Sequence, residues 1–229
     1  MNIKGLCSCG MIFLLGVSSL AAAASDRRLA EAAKRGDKAA VRSLLQAHVD
    51  VNAPLGDGAT ALAWAVHKDD LQTMDLLIRA GANVNAEDNY GVTPLHLASQ
   101  SGNPGAAEKL LQAGANPNAA RPTGETVLMT ASRTGNVAVV KLLLARSANP
   151  NATEVKRGQT ALMWALAENH PEVARELIAH GADVQARTKS GFTVLMFAAQ
   201  QGNLETARML VAAGAKVNDA TPEDGTALV

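Results

Sequence analysis

The chain has 229 residues, room for one large or two small domains; 48% are hydrophobic yet only 3% aromatic, so small and aliphatic side chains stand where a globular core uses rings. The formal net charge is +0, which speaks against the basic excess of a nucleic-acid or anionic-membrane surface. Residues 1–24 differ in character from the rest of the chain. Lys4 gives a positive start, Met11 to Leu20 a short apolar block, and Ala22-Ala23-Ala24 the small residues of a cleavage site. This predicts a signal peptide removed ahead of Ser25, because the block has about half the ~20 residues that span a bilayer. The chain is then expected outside the cytoplasm, periplasmic or secreted, with no membrane insertion after signal removal. Cys7 and Cys9 precede the block and leave with it, so no disulfide or thiolate metal site is expected in the mature chain.

Two short helices are expected between Asp26 and Val51, with Arg27, Arg28, Glu31, Lys34 and Arg35 charging the first. No Thr-x-Leu turn precedes them. Residues 25–56 therefore read as a terminal unit with one solvated side.

From Thr60 a pattern recurs. Thr60-Ala61-Leu62, Thr93-Pro94-Leu95, Thr126-Val127-Leu128, Thr160-Ala161-Leu162, Thr193-Val194-Leu195 and Thr226-Ala227-Leu228 succeed one another every 33 residues, with one 34-residue step before Thr160. Leu44, Leu77, Leu110, Leu143, Leu177 and Leu210 form a second column in phase, and His48, Gly81, Gly114, Ser147, Gly181 and Gly214 a third. In the unit at Gly91, Thr93 suits a helix cap and Pro94 the first helical position, where its missing N–H costs nothing. A helix from Leu95 to about Gln100 is predicted, then a break at Gly102-Asn103, a second helix from about Gly105 to Gln112, and a left-handed stop at Gly114. One such unit cannot bury enough to offset about 1–2 kcal/mol of backbone entropy per residue, so neighbours must stack into a one-dimensional array. His48 and Ser147, lacking the freedom of glycine, are expected to be strained.

Thr93-Pro94-Leu95-His96-Leu97-Ala98 resembles the signature of the ankyrin repeat family, and Gly81-Ala82-Asn83-Val84-Asn85-Ala86 resembles its inter-repeat segment. The resemblance implies an all-α ankyrin-repeat solenoid of stacked helix-turn-helix units joined by β-turn or hairpin loops. Residues 25–56 form the capping repeat, 57–222 repeats 2–6, and 223–229 the start of a truncated seventh, so the chain is expected to be a fragment. It implies a protein partner, a monomer, and a structural role for His96 inside its turn.

The search for chemistry is unproductive. His48, His67, His96, His170 and His180 form no i, i+4 pair, and the sequence has no nucleophile elbow, phosphate loop or dinucleotide fingerprint. No catalytic residue, metal or cofactor is expected. Asp37 and Asp69-Asp70 read as solvated turns, Asn151-Ala152-Thr153 as a glycosylation acceptor pattern, and Trp64, Trp164, Met129, Met163 and Met196 as packing between units. Ankyrin arrays typically bind through their turn tips and first helices, a concave surface. Carried onto this chain, the candidate partner-binding residues are Asp57, Tyr90, Val92, Glu125, Arg157, Gln159 and Phe192 at tips, with His67, Lys68, Arg133, Glu168 and Gln200 at helix ends. Tyr90 and Phe192 stand out as rings at solvated tips. Whether each is an anchor or folds onto its neighbouring unit stays open at this level.

Overall fold

A computed structural model of the chain describes residues 26–221 and 225–226. The expected signal peptide lies outside the described residues, as does most of the expected seventh unit. Among the described residues the helices form six pairs: α1 (Arg28–Arg35) with α2 (Lys38–Gln46), α3 (Ala61–His67) with α4 (Leu71–Arg79), and α5 (Pro94–Ser101) with α6 (Pro104–Gln112). They continue with α7 (Val127–Thr134) and α8 (Val137–Leu144), α9 (Ala161–Ala167) and α10 (Pro171–Ala179), and α11 (Val194–Gln200) and α12 (Leu204–Ala212). Odd helices pack on odd and even on even, giving two layers. One continuous apolar spine runs between them from Leu29 to Ala215. The leucine column is its axis: Leu77, Leu110, Leu143, Leu177 and Leu210 are all 0% exposed. Each is worth about 1.5–3 kcal/mol of burial, gained only because the next pair covers it.

Polar side chains repeat with the same period. Thr60, Thr93, Thr126, Thr160 and Thr193 each cap an odd helix, the hydroxyl accepting the backbone N–H three residues on. In α5 the loop is closed by His96, whose Nδ1 accepts the Thr93 N–H at 3.3 Å. Met129 and Met196 take the histidine's seat, their sulfurs accepting the N–H groups of Thr126 at 3.5 Å and Thr193 at 3.4 Å.

A second ladder binds unit to unit. Asn85 donates through Nδ2 to the Gly114 carbonyl (3.1 Å) and accepts the Asn116 N–H (2.8 Å). Asn118 does the same with Ser147 (3.1 Å) and Asn149 (2.7 Å), and Asn151 with Gly181 (2.9 Å) and Asp183 (2.8 Å). Asn151, which matches a glycosylation pattern, thus spends its amide on the stack.

Asp37 and Asp70 are more than solvated turns. They cap α2 and α4, accepting the N–H groups of Ala40 and Thr73. Asn103, Asn136 and Asn203 cap the later even helices, and Asn136 also donates to the Gly102 carbonyl of the preceding unit at 2.7 Å. His170 replaces this asparagine, provides no cap, and sets its Nε2 3.0 Å from the Arg133 carbonyl. Room for that ring comes from Gly135, whose φ is +75° and where a Cβ would lie 2.5 Å from His170 Cε1. His48 and Ser147 do sit at positive φ, 54° and 63°. Pro94 takes the first helical position of α5, as expected, and Pro104 lies inside α6, which starts one residue earlier than predicted.

Candidate interaction surface

The loops preceding α3, α5, α7, α9 and α11 are hairpins, here called fingers one to five. Each closes on itself by a backbone bond across the tip: Leu55 to Ala59, Asp88 to Val92, Arg121 to Glu125, Glu154 to Gln159 and Thr188 to Phe192. Neighbouring tips are zipped together, the N–H of Asn89 donating to Asp57 (3.0 Å), Val155 to Thr123 (2.8 Å) and Lys189 to Arg157 (2.8 Å). Between fingers two and three the donor's place is held by Pro122, which has no N–H. Its ring closes on Gly91 instead, where a Cβ would meet Pro122 Cδ at 2.5 Å.

A first groove of about 170 Å³ lies beside fingers one and two and brings together Asp57, His67 and Val92 with Trp64, Asp88 and Leu97. Asp88 fixes the tip by accepting the N–H groups of Tyr90 (2.8 Å) and Val92 (2.9 Å). Tyr90 is 68% exposed, so its ring does not fold back. Trp64 has the Lys34 ammonium 4.8 Å from its ring centroid and the His67 ring perpendicular to it, with centroids 5.5 Å apart.

The middle of the surface is bonded within itself. Glu125 accepts from Arg121 Nη1 at 3.0 Å and Thr130 Oγ1 at 3.0 Å, and lies 4.0 Å from Arg133, whose guanidinium covers the Trp164 ring at 5.7 Å. Glu125 and Arg133 are therefore committed to one internal network.

A second groove of about 420 Å³ lies between fingers four and five, lined by Arg157, Gln159, Phe192 and Gln200 together with Lys156, Thr188, Lys189, Ser190 and Phe197. Finger four is the one with the extra residue. Its Glu154 is buried and accepts the N–H groups of Lys156, Arg157 and Gln159. Burial raises the carboxyl's pKa, but those N–H groups outweigh it and hold Glu154 below the usual carboxylate range. Phe192, unlike Tyr90, does fold down: it meets Phe197 edge to face at 4.9 Å.

Of the predicted surface residues, Lys68 and Glu168 stand exposed at the ends of α3 and α9 and line neither groove. Trp64, Leu97 and Phe197 share one column, which helical periodicity assigns to packing, yet they line the grooves. Asp88, Lys156 and Lys189, also absent from the predicted set, lie one to three residues from its tip positions. Their shared signal is the same periodicity, read one register aside. Among the described residues no three His, Cys, Asp or Glu side chains gather into a metal-binding group, and no helix is long and apolar enough to cross a membrane.

The family model "Ankyrin repeats (3 copies)" matches residues 29–121, 108–188 and 128–221. Among solved structures, the chain is similar to the crystal structure of the ankyrin repeat domain of Bcl-3, described as a unique member of the IkappaB protein family. The TM-score is 0.79 and the identity 31%, over 89% of this chain and 92% of that one. No curated protein sequence matches. With its six stacked helix pairs, finger row and matched repeats, the chain belongs to the ankyrin repeat family and is a protein–protein interaction module.

Proposed function

We propose that the chain is a non-catalytic monomer that holds a protein partner on the face formed by its fingers and odd helices, outside the cytoplasm. The observation that carries the choice of face is the exposed Tyr90 between two grooves on a finger row whose backbone is already bonded to itself. A large ring held in water on a rigid support is what an interface anchor requires. The place of action is supported by the apolar block and the Ala triad of residues 1–24. Tyr90 and Gln159 on this face and Gln112 on α6 serve as sites for a photo-crosslinking amino acid in the native host. Crosslinks from Tyr90 and Gln159 but not Gln112 are expected, to a mature chain starting at Ser25 in an extracytoplasmic fraction. Adducts from Gln112 alone remove the face; a chain retaining Met1 in the cytoplasm removes the location.

A second reading makes the array the recognition arm of a longer enzyme or transport protein. In its favour, the pairing of Ala220 with Thr226 repeats the register of Ala120 with Thr126 and Arg187 with Thr193. The complete reading frame decides this: a stop after one further helix pair eliminates it.

A further inference from the structure

We propose that the groove between fingers four and five receives an acidic segment of the protein partner, its carboxylates on Lys156, Arg157 and Lys189 and an apolar side chain on Phe192 and Phe197. This rests on the finger face being the docking surface, and adds the chemistry and the direction of what docks.

The charge along the fingers is ordered. Finger one carries Asp57; finger two Glu87 and Asp88; finger three Arg121 with Glu125; finger four Lys156 and Arg157 with Glu154; finger five Arg187 and Lys189. The sign passes from negative to positive along the row, although the whole chain has a net charge of +0.

Two of the five finger cations are already neutralised by a carboxylate of their own chain. Arg121 pairs with Glu125, and Arg187 pairs with Asp219. Lys156, Arg157 and Lys189 form no ion pair among the described residues, and all three are exposed around one groove lined by no carboxylate. The nearby Glu154 makes no direct ion pair with them, because its oxygens are turned into the hairpin onto the N–H groups of Lys156, Arg157 and Gln159. The same contacts hold finger four in shape, and the Lys189 N–H on the Arg157 carbonyl holds finger five beside it. The cations are thus preorganised by backbone rather than by a partner already present, which lowers the ordering cost of binding.

The floor discriminates further. The Phe192–Phe197 pair supplies an apolar contact between the cationic rims, with Ser190, Gln159 and Gln200 as neutral donors. A bare anion would leave that floor unused. A nucleic-acid strand would have to continue over Asp57, Glu87 and Asp88, where its phosphates are repelled. A protein segment bearing Glu or Asp around a bulky apolar residue satisfies both halves, and its acidic part must lie over fingers four and five.

The probe is a fluorescein-labelled peptide of Glu-Glu-Phe repeats, with a Lys-Lys-Phe peptide and oligo-dT as comparisons, read by fluorescence anisotropy. The acidic peptide is expected to bind at least about tenfold tighter than the basic one and to weaken about tenfold between low and near-physiological salt. The triple variant Lys156→Ala, Arg157→Ala, Lys189→Ala should weaken it about tenfold, and Asp57→Asn with Glu87→Gln by less than about twofold, with circular dichroism confirming folding. Equal binding by the triple variant, equal binding of the basic peptide, no peptide binding at all, or oligo-dT bound more tightly through the same three residues each overturns the proposal. Tyr90 crosslinks that survive the triple substitution leave the docking face standing and remove only the acidic partner; peptide binding without Tyr90 crosslinks does the reverse.

Discussion

His96 is 3% exposed, with Nδ1 accepting the Thr93 N–H and lying 2.9 Å from the Thr93 hydroxyl. Burial lowers its pKa from the ordinary 6.5, opposed by the Glu125 carbonyl and carboxylate and by Asp88, and aided by Arg121. The unfolded chain therefore takes up this proton first as pH falls. The stability tied to neutral His96 is full above 6.5 and is lost as pH drops through the lower folded value. The melting temperature should fall between neutrality and about pH 5.5, the range in which imidazoles titrate. His96→Met, copying the native Thr126–Met129 and Thr193–Met196 pairs, should flatten that dependence while keeping the fold. A variant that retains the full slope removes His96 as its source. Glu154 and Asp70, held low by N–H groups and, for Asp70, by Lys38 despite burial, give a separate loss further into acid. At this scale the sequence anticipated the bond of His96, through the resemblance, but left Tyr90 and Phe192 undivided. Only the position of Phe197, one unit helix away from the tip, separates a ring that packs from a ring that stands in water.

Between elements, the asparagine ladder does what neither helix propensity nor apolar burial can do: it fixes the register of one unit on the next. Each rung crosses about one repeat and joins a side chain to two backbone groups at the following helix end. Asn118→Ala removes two such bonds at an exposed site where water can replace them, so a loss of about 1–2 kcal/mol is expected in urea denaturation. Asn118→Asp, which keeps the acceptor for Asn149 and loses the donor to Ser147, should fall between wild type and alanine. A loss below about 0.5 kcal/mol for alanine would mean that register is held by the leucines alone. The asparagines are visible in the sequence as a periodic column. Their partners are not, because those lie roughly thirty residues downstream on a different turn.

For the whole molecule, every helix pair touches only its neighbours, so stability is a sum of unit and interface contributions rather than of one central core. Among the described residues the first and last helix pairs each pack against one neighbouring pair rather than two. Amide hydrogen exchange should accordingly be slowest in α5 to α8 and fastest in α2 and α12, where Val211 and Leu204 stand 45% and 61% exposed. Uniform protection from α1 to α12 would show a single cooperative unit instead. The same linear order makes the charge sequence of the fingers a directional label, since their succession in space is their succession in the chain.

The amino-acid sequence by itself determined the repeat, its helix caps and stops, and the leucine spine, because all of these depend on residues close in the chain or on strict periodicity. The candidate surface was legible as a set of tips and helix ends, without its grouping. Tertiary structure alone decided that Glu125 is spent on Arg121 and Thr130 with Arg133 beside it, that Lys156, Arg157 and Lys189 form no ion pair among the described residues around one groove, and that Trp64 and Phe197 reach that surface. Those outcomes turn on distances of a few ångströms between side chains in successive units. Periodicity puts such residues in neighbouring columns, but only packing determines which charge finds a partner within its own chain and which is left for another.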